Sequence, residues 1–102
     1  MTRGEIWLAE VGRNPRPVLV MTRSEVIDVR LLVTVAEITT QMRGLSVEVA
    51  LDPDESGLDK PSAVNCDGLH TIEQSRLTRR LGAVDDTTLR AVCSAVSYAL
   101  GC

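Results

Sequence analysis

The chain has 102 residues, 44% of them apolar, and a formal net charge of −3. That length fits one domain, expected to span residues 1–102, and the apolar fraction excludes a disordered segment. There is no Phe, and Trp7 and Tyr98 are the only aromatics, so Val, Leu, Ile and Ala must carry the core. In chain order, Glu5 to Val11 reads as a first strand and Gly12-Arg13-Asn14-Pro15 as a turn or short loop. Pro17 to Met21 is a dense apolar run that suits a buried strand, with Pro17 confined to its beginning because proline lacks the ladder N–H. Ser24 to Arg30 suits a single helical turn or an irregular crossover, with Ser24 as N-cap. Leu31 to Thr40, rich in β-branched residues, is the strongest strand. Gln41 to Gly44 follows as a hairpin turn, and Leu45 to Leu51 alternates apolar and polar as an antiparallel strand with one wet face. Asp52 to Pro61 is a polar loop, Ser62 to Cys66 a short strand, and Leu69 to Ile72 continues the sheet after a break at Gly68. Leu81 to Val84 is a short final strand. The last element is a helix capped by Asp85 or Asp86, with Leu89, Val92, Cys93, Val96 and Leu100 on one apolar face and Gly101 at its end. The expected class is α+β, a curled antiparallel sheet forming a small barrel with a C-terminal helix.

No apolar run reaches the roughly 18–20 residues that span a bilayer, and the first residues lack a secretory pattern, so a cytoplasmic protein is expected. Cys66, Cys93 and Cys102 cannot all pair within one chain, and reduced thiols are expected, with Cys66 and Cys93 packed as small hydrophobes and Cys102 exposed. His70 is the only histidine and no Cys/His spacing resembles a zinc site, so no metal or other cofactor is expected. The acidic balance argues against whole-surface attraction to nucleic acid, but Arg3, Arg13, Arg16 and Arg23 gather early against Glu5 and Glu10, which leaves room for a local cationic groove. Arg76, Arg79 and Arg80 form a second basic group, read as a solvated face or as a dimer or antitoxin edge.

Several segments, in order, resemble the MazF/PemK toxins. They are Arg3-Gly4-Glu5-Ile6-Trp7, Arg16-Pro17-Val18-Leu19-Val20, Val35-Ala36-Glu37-Ile38-Thr39-Thr40, Gly57 to Asn65, Leu69-His70-Thr71-Ile72, Ser75 to Gly82 and the helix ending Ala99-Leu100-Gly101. Each is weak alone; together they span nearly the whole chain. The resemblance implies an SH3-like barrel in a homodimer and the toxin of a type II toxin–antitoxin system. It implies metal-independent, sequence-specific cleavage of single-stranded RNA through the 2′-hydroxyl, leaving 2′,3′-cyclic phosphate and 5′-hydroxyl ends. It also implies a MazE-like antitoxin whose acidic disordered tail fills the RNA groove and folds on binding. Two other readings stand beside it: a non-enzymatic gyrase poison like CcdB, and a catalytically inert barrel that binds RNA or protein. The first is disfavoured because the chain ends Ala99-Leu100-Gly101-Cys102 where that family has Trp-Gly-Ile.

By the resemblance, Arg16 is the catalytic arginine. A guanidinium can grip two phosphate oxygens at once, and a pKa above about 12 suits arginine to charge stabilisation rather than proton transfer. Read alone, without the resemblance, Arg16 is more often a surface residue at a strand start than a catalytic one. Thr39 corresponds to the active-site threonine, with Thr40 as its competitor, since a one-residue slip exchanges their faces. Arg13 and Asn14 are candidate RNA contacts or plain solvated loop residues, and Gln41 and Arg43 are candidates for reading bases. The first loop lacks a Gly-Ser-Glu-Gln stretch common in the family, so the proton acceptor is unassigned; Glu10 is near in sequence. Gly68 stands where many relatives carry Gln after an acidic residue, and Asn65, Asp67 and His70 are each able to substitute, His70 also as a proton carrier.

Overall fold

A computed structural model describes the backbone of residues 1–102 and every side chain but that of Val11, so the apolar role expected of Val11 lies outside the described residues. Six strands make one sheet: β1 (Glu5–Val11), β2 (Asn14–Val20), β3 (Leu32–Thr39), β4 (Glu48–Leu51), β5 (Ser62–Glu73) and β6 (Leu77–Ala83), with all adjacent pairs antiparallel. Their order is β4-β5-β3-β2-β1-β6. Two short α-helices, α1 (Ser24–Ile27) and α2 (Pro53–Ser56), and a 3-10 turn (Gln74–Arg76) interrupt them, and the 15-residue α3 (Asp86–Leu100) follows β6.

The sheet is not closed: β4 and β6 end it and do not pair. The two ends nonetheless approach through α2, which follows β4 and lies against β6. There Gly57 and Gly82 meet backbone to backbone, and a Cβ on either would overlap a carbonyl oxygen, that of Leu81 or of Ser56. Gly57 also takes φ 75°, a conformation glycine adopts without a Cβ penalty.

Alternation along the strands gives the sheet two faces. One carries Ile6, Leu19, Ala36, Ile38, Val64 and Cys66, all buried, and packs against Val92 and Ala95 of α3. The other carries Ala9, Val18, Val20, Val33, Val35 and Leu77, roofed at one end by Ile27 of α1. α3 is capped as expected at its start, where the Asp85 carboxylate accepts from the Thr88 N–H at 2.7 Å, and Gly101 ends it at φ 74°. Its apolar face differs by one residue: Ala95 is buried, whereas Leu100 is 62% exposed.

Other boundaries move for identifiable reasons. β2 begins at Asn14, so Pro17 is interior to it rather than at its start. Pro15 and Pro17 lie opposite Glu10 and Leu8, and having no N–H they occupy non-hydrogen-bonded positions toward β1. The donors they lack would point toward β3, and pairing of β2 with β3 accordingly runs only from Val18↔Glu37 to Val20↔Val35. The expected hairpin at Gln41–Gly44 does not form. β4 is shorter than the expected Leu45–Leu51 and pairs with β5, not β3, so residues 40–47 are a crossing connection in which Leu45 is exposed. Leu31, expected in the third strand, is also exposed and precedes β3. The expected break at Gly68 is a bulge inside one continuous strand, since Ala36 pairs with Leu69 and the next residue, Glu37, with Asn65. β6 starts at Leu77 rather than Leu81, and the loop after β4 contains α2. Ser24 is not an N-cap; its hydroxyl accepts from the Arg3 N–H instead.

Candidate functional site

Beyond Val18 the prolines keep β2 from following β3, and a groove opens on the face away from α3. It has a volume of about 780 Å³. Extending the β2–β3 register by two residues puts Arg16 level with Thr39, one row beyond Val18 and Glu37. Period-two geometry then aims Arg16, Glu37 and Thr39 to the same side. β5 adds Asn65, opposite Glu37, and, past the bulge, His70, opposite Val35. The floor is apolar, from Pro17, Val18, Val35, Ile38 and Ile72.

Seven of the residues picked from the sequence line this groove: Arg16, Thr39, Thr40, Gln41, Arg43, Asn65 and His70. Three do not. Arg13 and Asn14 are exposed at the β1–β2 turn, and Asp67 is exposed on the β5 bulge, where its N–H donates to Asn65 Oδ1 at 3.1 Å. Arg76, Arg79 and Arg80 lie around β6, on the far side of β1 from the groove. Glu10 is on β1, outside the lining.

The local bonding orients these groups. Thr39 Oγ1 accepts the Gln41 N–H at 3.0 Å, which leaves the hydroxyl hydrogen free to donate. The connection that carries Gln41 and Arg43 is tied down by Glu48, whose carboxylate accepts the N–H groups of Arg43 (2.9 Å) and Leu45 (3.2 Å). Those two bonds, that from Arg43 first, hold the Glu48 carboxyl below its ordinary pKa. Glu37 was missed as a site residue. Its carboxylate is bonded to His70 Nε2 at 2.6 Å, both side chains being about half exposed. The available signal was an acidic residue interrupting the apolar alternation Val33, Val35 on a β-branched strand.

The groove carries two guanidiniums, Arg16 and Arg43, against one carboxylate, Glu37, a local excess of positive charge on an acidic protein. Neither aromatic lines it: Trp7 packs on the second apolar cluster and Tyr98 is exposed on α3. Apart from the His70 imidazole, the groove offers hydrogen bonds and aliphatic contact rather than rings for stacking. Among the described residues, no three His, Cys, Asp or Glu side chains gather as a metal site. No helix of the described chain is long and apolar enough to cross a membrane. The thiols are free: Cys66 is buried, Cys93 half-buried and Cys102 exposed. Burial, and secondarily the nearby Cys93, push the Cys66 thiol up to about 11, so it stays protonated and unreactive.

Residues 2–100 match the family described as PemK-like, MazF-like toxins of type II toxin–antitoxin systems. The chain is 40% identical over 103 residues to a probable endoribonuclease, MazF5, of Mycobacterium tuberculosis, covering 98% of this chain and 93% of that protein. Among solved structures it resembles the M. tuberculosis toxin MazF-mt6, with a TM-score of 0.88 and 38% identity over 95% of this chain and 96% of that one. It also resembles a mycobacterial endoribonuclease solved in complex with its cognate antitoxin, with a TM-score of 0.90 and 26% identity over 99% and 95% of the two chains.

Proposed function

The chain belongs to the MazF/PemK toxin family, and on that premise we propose that it is an endoribonuclease that cuts single-stranded RNA in the groove between β2 and β3. The observation that carries the reading is the shared face of Arg16 and Thr39 at the splayed ends of adjacent strands, over an apolar floor. A scissile phosphate seated there meets a guanidinium from one side and a hydroxyl from the other. Arg16 offers a fork of donors to the non-bridging oxygens and neutralises the charge that grows on them as the phosphorane forms. Thr39, whose Oγ1 accepts the Gln41 N–H, donates its hydroxyl hydrogen to the same phosphate. The 2′-hydroxyl is the nucleophile, the products are a 2′,3′-cyclic phosphate and a 5′-hydroxyl, and arginine supplies the positive charge that a metal would otherwise bring.

Thr40, Gln41, Arg43 and Asn65, which border the groove, read exposed base edges and give the preference for a short sequence; their position in the lining supports this reading. Arg13 and Asn14, at the β1–β2 turn, serve as outlying backbone contacts, and Asp67 as an acceptor at the opposite rim. The working unit is a single domain with a barrel-like curl, paired as a homodimer. It is held inactive by an antitoxin whose acidic tail competes with RNA for Arg16 and Arg43, and it acts in the cytoplasm.

The test is incubation of the protein with a single-stranded RNA transcript in EDTA, followed by end analysis. Cleavage to 2′,3′-cyclic phosphate ends is expected. Arg16→Ala should slow it at least about a hundredfold, the scale of one lost preorganised donor, with the fold intact. Intact RNA under the wild-type protein would refute the nuclease reading.

A further inference from the structure

The proton acceptor for the 2′-hydroxyl is the piece the groove has yet to supply, and one pair of side chains in it has no structural task. Glu37 is the only carboxylate lining the groove. It sits on β3, opposite Val18, one row from the level of Arg16 and Thr39 and on their face. Diagonal neighbours on adjacent strands are within reach of long side chains. Its Oε1 is bonded to His70 Nε2 at 2.6 Å. An ionised carboxylate has no proton to give, so the imidazole N–H is the donor in that bond. A half-exposed pair of this kind contributes little to folding. It also replaces what would be a third buried apolar residue on a strand face already holding Val33 and Val35.

The bulge of β5 makes room for this carboxylate. A Cβ at Gly68 would lie 2.7 Å from Glu37 Oε2 and 3.0 Å from Asn65 Nδ2. Any side chain at that position would have to push the carboxylate aside. The glycine that departs from the family pattern therefore leaves the space that Glu37 fills from the neighbouring strand.

We propose that Glu37 is the general base of this nuclease and that His70 is its positioning partner; the proposal rests on the RNA-cleaving reading of the groove. Glu37 takes the proton as the 2′-O–H bond breaks and the 2′-oxygen forms its bond to phosphorus. His70, donating its Nε2–H to Oε1, fixes the orientation of the carboxylate and leaves Oε2 to accept the proton. The P–O5′ bond breaks, and the departing oxygen takes a proton from water. The hydroxide left is neutralised when Glu37 releases to solvent the proton it took, so each turnover returns the groove to its starting state.

The experiment compares wild type, Glu37→Gln, His70→Ala and the double variant on an RNA substrate identified with the wild-type protein. Each is assayed with the normal 5′-oxygen and with a 5′-bridging sulfur at the scissile bond. A sulfur leaving group needs no protonation, so it rescues loss of an acid and leaves loss of a base in place. Glu37→Gln is expected to lower kcat about 10²–10⁴-fold with little change in KM, and the sulfur substrate should restore none of it. His70→Ala should lower kcat less, and the double variant should match Glu37→Gln alone, because His70 acts through Glu37. Circular dichroism checks the fold of each, and both residues are exposed enough for the isosteric Gln to be accommodated. Unchanged kcat in Glu37→Gln, rescue by sulfur, or multiplicative losses in the double variant would each overturn the assignment. A wild-type protein that cuts no RNA would instead sink the nuclease reading beneath it.

Discussion

The two faces of the same sheet are built on opposite terms. Under α3, strands β1 to β5 contribute small or branched apolar side chains that are closed to solvent, and Leu19, Ile6, Val64 and Val92 have no accessible surface. On the other face the same strands begin apolar, at Val20, Val33 and Val35, then turn polar where β2 and β3 part, at Arg16, Glu37 and Thr39. One residue step along a strand thus decides between a core position and a groove position. The difference teaches that stability and chemistry are segregated by face, and that the boundary between them is set by Pro15 and Pro17, which stop the β2–β3 ladder.

That comparison can be broken by substitution. Leu19→Ala, on the covered face, is expected to lower stability by about 2–5 kcal/mol through lost burial and an unfilled cavity, measured by urea unfolding. Arg16→Ala, whose side chain is exposed, should leave the unfolding midpoint within about 0.5 kcal/mol of wild type while removing cleavage. A large stability loss from Arg16→Ala would show that the groove face is structural after all.

A smaller effect sharpens the same contrast at the edge of the sheet. Burial alone would raise the Glu5 carboxyl, but the Arg80 guanidinium at 2.8 Å and the N–H groups of Thr2 and Trp7 outweigh it and hold the group down to about 2. Its folded value lies below the ordinary 4.5, so its contribution is complete above that pH and is lost as the pH falls toward about 2. Glu5→Ala should cost about 1–3 kcal/mol near neutral pH and flatten stability between pH 4.5 and 2. Trp7, the only tryptophan and a direct partner of Glu5, reports this by fluorescence. An unchanged acid limb in the variant would remove Glu5 as its source.

Much of this was legible in the sequence because strand period and residue type are local properties. The alternation that buries Val18 and Val20 also presents Arg16, and Thr39 falls at the end of the most β-branched run. The chain's pairing partners were not legible. The alternation of Leu45 to Leu51 is compatible with any neighbour, so a hairpin with β3 was the local choice, whereas β4 in fact crosses to β5. The same limit hid Glu37: its meaning depends on His70, 33 residues away, and on a bulge that sets Leu69 and Asn65 against consecutive residues of β3. Gly68 read as a loss when viewed along its own strand, and only the register across to β3 turns it into space for a carboxylate.

The most direct measurement of where RNA sits is a titration of the ¹⁵N-labelled protein with an uncleavable 2′-O-methyl oligonucleotide matching the preferred cut site, followed by amide chemical shifts. The account predicts perturbations clustered at Arg16, Glu37, Thr39 to Arg43, Asn65 and His70, with α3 silent. Perturbations concentrated on α3 and β6, with the β2–β3 groove unmoved, would contradict it.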